Sequence, residues 1–279
     1  MTRRHFIRRL QKRLPECLIG CRSANALSIN ATISNMPKNN FLFSRKCSNI
    51  SYPSPTSSKI APAYIRTKMW SPGDHRSMKL LEEYTALAPT YDQRWSAYLN
   101  ASLLMTIEKI ADLPADRLLD VGCGTGLLLE IMSERSGSSQ LVGIDKVPAM
   151  LDVARHRLGE RATLLEGDAA QLPFDDASFQ LVTSTSALHY WEDVDAALRE
   201  IRRVTSPNGS LVITDWSRDY AWMRVLNRIL PWSRHSHSHT LSSNELEHRL
   251  SQAGFCINSV TKGKIDWFWG LMTVHATPV

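Results

Sequence analysis

The chain has 279 residues, 43% of them hydrophobic, enough for one large domain with an appendage or two small domains. Its formal net charge of +6 is unevenly placed: residues 1–70 hold 13 of the 33 Lys and Arg and a single acid, Glu16, so the remainder is net acidic. A mildly acidic body argues against a broad phosphate-binding surface and a nucleic-acid partner, while the scattered Cys17, Cys21, Cys47, Cys123 and Cys256 fit neither a disulfide scaffold nor a zinc site.

Residues 1–68 read as a basic extension, either disordered or a targeting signal. They are acid-poor and rich in Arg, Ser and Asn, the composition of an organellar transit peptide. The stretch Arg3–Arg13 can wind a basic helix with Phe6, Ile7 and Leu10 on one side. The expected compartment is the mitochondrion, with the plastid second, or the cytoplasm if the extension carries no signal. No run of about 18 apolar residues occurs, so no membrane-spanning helix is expected. The body, 69–279, opens with a helical lid over about 78–112, broken at Pro89.

Beyond the lid, short apolar runs alternate with amphipathic stretches. Strands are expected at Arg117–Val121, Leu141–Ile144, Thr163–Leu165, Phe179–Ser184 and Ser210–Thr214, the last entered through a turn at Pro207, Asn208 and Gly209. Helices are expected at Leu127–Glu134, Ala149–Leu158 behind Pro148, Val194–Val204, and Ser242–Ala253 closed by Gly254. Cys256–Thr261 and Trp267–Ala276 finish as strands. This alternation predicts a Rossmann-like, doubly wound α/β fold: a mainly parallel seven-stranded sheet, helices on both faces, and an antiparallel C-terminal strand. Ligands of such sheets bind outside the carboxyl ends of the strands.

The motifs fall at those ends. Gly122, Cys123, Gly124, Thr125 and Gly126 follow the first strand directly. Glycines there permit a tight turn and close approach of a ligand to the backbone. The spacing is G-x-G-x-G, whereas a dinucleotide's pyrophosphate calls for G-x-G-x-x-G. Asp145 and Lys146 close the second strand, where an acid can accept hydrogen bonds from ribose hydroxyls; a turn-forming Asp is the alternative. Asp168 and Ala169 close the third, placed for an adenine amino group and ring; a helix cap or turn is the alternative. Asp120, inside the first strand, is a costly buried carboxylate unless a cation compensates it.

Together these residues resemble the class I S-adenosylmethionine-dependent methyltransferases, in particular the small-molecule group with the type 11 domain that includes the quinone-ring methyltransferases. Gln171-Leu-Pro-Phe174 with its acidic turn, Ala187-Leu-His-Tyr-Trp191, and the run from Glu200 through Arg203 and Pro207 to Leu211 resemble that group's later segments. Ser206 and Asn208 depart from its usual turn residues. The resemblance implies S-adenosylmethionine as cofactor. Asp120 and the glycine loop would hold the methionine part, with Ser184, Thr185 and Ser186 at the end of strand four where backbone carbonyls meet the methionine amine, Asp145 would hold the ribose and Asp168 the adenine. It also implies that Tyr91, a candidate catalytic residue, caps the cofactor from the lid; a core aromatic on an amphipathic helix is the alternative.

His189 is the candidate general base, since imidazole titrates near neutrality; the alternative is an aromatic wall that His189 helps to shape. His235, His237 and His239 alternate, but without a partner ligand they predict no metal. They read instead as part of a lid or substrate-side loop. Trp222, Trp232, Trp267 and Trp269 either line an apolar pocket or belong to the core. The expected acceptor is a small apolar or amphipathic molecule, since the segment after strand four, Ser184 to Tyr190, lacks the prolines of nucleic-acid amino methyltransferases. Two rival classes stay open: an NAD(P)-dependent oxidoreductase and a non-catalytic cofactor-binding assembly module.

Overall fold

The computed structural model describes residues 75–135, 139–229, 240–266 and 269–279. The basic extension, Trp232, Trp267 and the three histidines between 235 and 239 lie outside the described residues. The lid comprises α1 (His75–Leu87), a 3₁₀ turn at Ala88–Thr90, α2 (Tyr91–Arg94) and α3 (Ser96–Ile110). Its break falls where expected, because Pro89 starts a new turn and cannot continue the preceding helix.

The sheet then builds up as β1 (Arg117–Val121), β2 (Gln140–Asp145), β3 (Thr163–Glu166), β4 (Phe179–Thr185), β5 (Thr205–Trp216), β6 (Phe255–Lys264) and β7 (Gly270–Pro278). The interleaved helices are α4 (Leu127–Arg135), α5 (Pro148–Leu158), α6 (Val194–Val204), α7 (Ala221–Ile229) and α8 (Ser243–Gln252). Strand order is β3-β2-β1-β4-β5-β7-β6. β3, β2, β1, β4 and β5 pair in parallel, and β7 runs antiparallel between β5 and β6. The expected doubly wound sheet is therefore present, with its switch point between β1 and β4, on either side of which the order reverses.

Local chemistry explains the elements. Leu118, Leu119 and Val121 are buried on both sides of a central strand, the apolar run that parallel sheets demand. On α6, Val194, Ala197, Leu198, Ile201 and Val204 recur at helical spacing, and all are buried against the sheet with Leu246 and Leu250 of α8. Asp193 caps α6 by accepting from the Ala196 amide at 2.8 Å.

Three expectations need correction. β5 starts at Thr205, not Ser210: Thr205 already pairs with Phe179, and Pro207 and Asn208 sit exposed in a register break before Ser210 pairs with Leu181. A turn sequence is thus accommodated as a bulge inside a strand. β7 starts at Gly270, not Trp267, because Trp269 belongs to the connection: its amide donates to Asp266 Oδ1 at 2.6 Å and its carbonyl accepts from Ile265 at 3.0 Å. Helix α7 was not foreseen.

The start of α8 is set by a reciprocal cap. Ser242 Oγ accepts from the Glu245 amide, and Glu245 Oε2 accepts from the Ser242 amide at 2.7 Å. Ser242→Ala is expected to lower stability by about 1 kcal/mol in urea unfolding, with no change in ligand affinity, since α8 packs on the sheet face through Leu246 and Leu250.

Candidate functional site

The carboxyl ends of β1, β2 and β4, the loop after β3, and the lid enclose a cavity of about 140 Å³. The glycine loop forms its floor. Gly122 has φ +75, and a Cβ there would stand 2.3 Å from Ala187 Cβ, so the loops after β1 and β4 touch only because this residue has no side chain. A Cβ on Gly124 meets nothing within 4 Å, and Gly124 lines the cavity. Gly126 does not line it. At φ +79 its missing Cβ lets α5 approach, since a methyl would come within 2.9 Å of Leu158 Cδ1 and 3.1 Å of Ala154 Cβ. The cofactor-contact reading of Gly126 is therefore corrected to one of helix packing.

Asp145 ties this loop to β2. Its Oδ2 accepts from the Gly124 amide at 2.8 Å and its Oδ1 from the Val147 amide at 2.9 Å. Burial pushes its carboxyl upward while those amides pull the other way. Lys146 Nζ reaches Asp168 Oδ2 and Glu192 Oε1, each at 3.2 Å, bridging the ends of β2, β3 and β4 at the cavity's rim. Asp168 Oδ1 also accepts from the Ala170 amide at 2.9 Å. Asp145, Lys146, Asp168 and Ala169 all line the cavity, so the expected ribose and adenine residues are brought together.

Asp120 also lines the cavity and is 3% exposed. Thr183 Oγ1 donates to its Oδ1 at 2.8 Å. Burial pushes its carboxyl up to about 7, with the nearby Asp145 adding to the rise. Cys123 lines the cavity as a buried thiol held well above its ordinary range by burial and the two carboxylates. Thr185 lines it and lies 3.1 Å from Thr106 Oγ1 of α3, whereas Ser184 is fully buried and does not line it. The alternation of β4 decides this: a strand shows successive side chains to opposite faces.

The lid supplies Leu80, Tyr84, Tyr91, Leu99 and Leu103. Tyr91 stands in the cavity wall as expected, its hydroxyl held well above the ordinary range by burial and by Asp145. Its neighbour Asp92 fastens it there. Asp92 accepts from Thr125 Oγ1 at 2.6 Å and from Arg157, while Arg157 Nη1 donates to the Thr125 carbonyl at 2.7 Å. His189 does not line the cavity, although Tyr190 and Trp191 do. It is 2% exposed, stacked on Trp216 at 4.1 Å, with Nδ1 2.6 Å from Asp215 Oδ1. Asp215 also accepts from the Leu188 and Trp216 amides. His189 thus stands behind the wall, in the shaping position rather than in reach of the cavity.

Sequence reasoning missed Tyr84 and Glu192 in the lining, and the Asp92–Arg157 contact. All are long-range pairings. The signal closest to hand was Asp92 itself, adjacent to Tyr91.

Residues 119–213 match the protein family described as "Methyltransferase domain". The demethylmenaquinone methyltransferase of Deinococcus radiodurans is 34% identical over 148 residues, 48% of this chain and 59% of that protein. The malonyl-[acyl-carrier protein] O-methyltransferase of Serratia marcescens is 39% identical over 101 residues, 36% of this chain and 38% of that protein. The chain thus spans less than two thirds of the length of these relatives. A solved SAM-dependent methyltransferase from Thermotoga maritima shares the fold at a TM-score of 0.59 and 20% identity, over 71% of this chain and 99% of that one. Residues 119–213 are thus similar to a methyltransferase domain, and the sheet order is that of a fold shared with a solved S-adenosylmethionine-dependent methyltransferase.

The residues present fit that cofactor. The space over Gly124 is open, and the buried carboxylate of Asp120 calls for a cation such as the methionine ammonium. Asp145 and Asp168 offer acceptors to a nucleoside. Bound there, S-adenosylmethionine would supply a methyl group on a sulfonium, activated for displacement.

The raised carboxyl of Asp120 has a sign that can be checked. Below about pH 7 it holds a proton in the unliganded protein, and an ammonium must displace that proton. Adenosylhomocysteine is therefore expected to bind about tenfold more weakly at pH 6 than at pH 8 by calorimetry, and Asp120→Asn should flatten that dependence. For folding the same shift runs the other way. The native state holds the proton between the ordinary and the raised value, so this residue's contribution is present at low pH and is lost as pH rises through about 7.

Proposed function

We propose that the chain is an S-adenosylmethionine-dependent methyltransferase whose acceptor is a small apolar or amphipathic molecule, with a quinone-like ring as the first class to try. The observation that carries this is the division of the cavity. Its floor and rim are polar, built from Asp120, Gly124, Asp145 and Asp168, while its lid side is built from Leu80, Tyr84, Tyr91, Leu99 and Leu103. The polar half suits the donor. The apolar half suits an acceptor that must be desolvated and held in line with the sulfonium. The quinone reading is supported by the printed activity of the Deinococcus radiodurans relative. The basic extension, residues 1–68, is proposed to direct the protein to the mitochondrion, on its composition alone.

Calorimetry with adenosylhomocysteine and with NADH separates the donor from a dinucleotide. Micromolar binding of the first and none of the second is the expected result; the reverse would sink the proposal. Asp145→Ala removes the acceptor that fixes Gly124 and Val147, and should weaken adenosylhomocysteine by about tenfold or more, one such bond to a charged group being worth about 1.5–3 kcal/mol. Transfer of labelled methyl to a reduced prenylated naphthoquinone tests the acceptor class. Import of a fusion lacking residues 1–68 would remove the targeting role.

A further inference from the structure

Ser186 follows β4 and lines the cavity in a conformation that side chains rarely adopt, with φ +61. A non-glycine residue held there is strained and persists where its surroundings over-determine it. Here they do. Its amide donates to the Thr214 carbonyl at 2.8 Å, and its Oγ lies 2.7 Å from the Tyr98 hydroxyl of α3. Tyr98 in turn lies 2.8 Å from Nε1 of Trp216 at the end of β5.

The direction of this chain is set by chemistry. An indole N–H can only donate, so Trp216 donates to Tyr98. The Tyr98 hydroxyl is buried, and its proton has one acceptor within reach among the described residues, the Ser186 oxygen. Were Ser186 to donate to Tyr98 instead, the tyrosine proton would be stranded in the interior without an acceptor, which is costly. Ser186 therefore accepts from Tyr98, and its own proton is left to point elsewhere, with the cavity as the polar space it borders. Its place just after β4 sets it apart from Asp145, which closes β2, and Asp168, in the loop after β3, and puts it on the side where Tyr98 and the apolar lid meet the sheet.

We infer that Ser186 is a specificity-determining residue: its hydroxyl is a donor of fixed direction that takes an oxygen of the methyl acceptor, a carbonyl, enolate or phenolate, and so selects oxygen-bearing rings over hydrocarbons of the same size. The inference rests on the methyltransferase reading of the cavity. Tyr98 is the positioning residue that fixes the donor, and Trp216 fixes Tyr98.

The test uses 2-acetylnaphthalene, whose carbonyl can only accept, and 2-ethylnaphthalene, which lacks the oxygen, titrated into the full chain saturated with adenosylhomocysteine. The wild-type protein is expected to prefer the ketone by about tenfold, one hydrogen bond being worth about 0.5–1.5 kcal/mol. Ser186→Gly relieves the strain at φ +61 but leaves the Tyr98 hydroxyl without its acceptor, so the melting temperature should change little while the preference is abolished and adenosylhomocysteine affinity stays unchanged. Tyr98→Phe frees the serine to turn and should reduce the preference without removing it. A preference that survives Ser186→Gly overturns the inference. So does a loss of adenosylhomocysteine affinity in that variant, which would assign the hydroxyl to the donor. If the wild-type protein binds no adenosylhomocysteine at all, the failure is that of the methyltransferase reading and is seen before any naphthalene is added.

Discussion

The carboxylate of Asp145 joins the parts on which the site depends. In a loop with three residues at positive φ, the Gly122 and Cys123 amides donate to the Ile144 carbonyl and the Gly126 amide to that of Cys123, which leaves the Gly124 amide to be met by a side chain. Asp145 supplies the missing acceptor, taking the Gly124 amide with one oxygen and its own turn, through Val147, with the other. The loop so fixed carries everything next to it. Gly122 lets Ala187 approach from β4, Gly126 lets α5 pack, and Thr125 receives Asp92 and Arg157 from the lid and α5. One carboxylate thus sets where the floor, one wall and the lid of the cavity meet.

The lid is attached through polar contacts at its base and apolar ones along its length. Asp92 and Arg157 hold the short helix that carries Tyr91, while Ala88, Val147 and Met150 close an apolar seam between the lid and α5. Deeper in, Thr106 of α3 joins Thr185 and Thr214, and Thr214 joins Thr273, so four hydroxyls link the lid to β4, β5 and β7 without a charge. Buried hydroxyls satisfied in this way fix one register of helix on sheet, because any slide would strand them.

Much of the frame was legible because it follows from near neighbours along the chain. β1 and α6 fall at the residues expected of them, one from an apolar run between turn residues, the other from an amphipathic repeat that ends where the apolar spacing ends. The bulge at Pro207–Gly209 was not legible, since a turn sequence and a bulge sequence share the same residues and only the partner strand distinguishes them. The position of β7 between β5 and β6 is likewise a matter of pairing, which no local pattern records.

At the site, the residue sequence by itself determined the polar half of the cavity lining. Asp120, Asp145, Asp168 and the glycine loop are each placed by the end of their own strand, so a strand boundary suffices to locate them. Tertiary structure alone decided which neighbouring residue faces the cavity. It took Gly126 for helix packing, buried Ser184, set His189 behind the wall on Asp215, and turned Ser186 inward at positive φ. The physical reason is range. A strand end is a local event, whereas the facing of a side chain is settled by whichever distant group, Ala154, Asp215 or Tyr98, completes its packing or its hydrogen bonds.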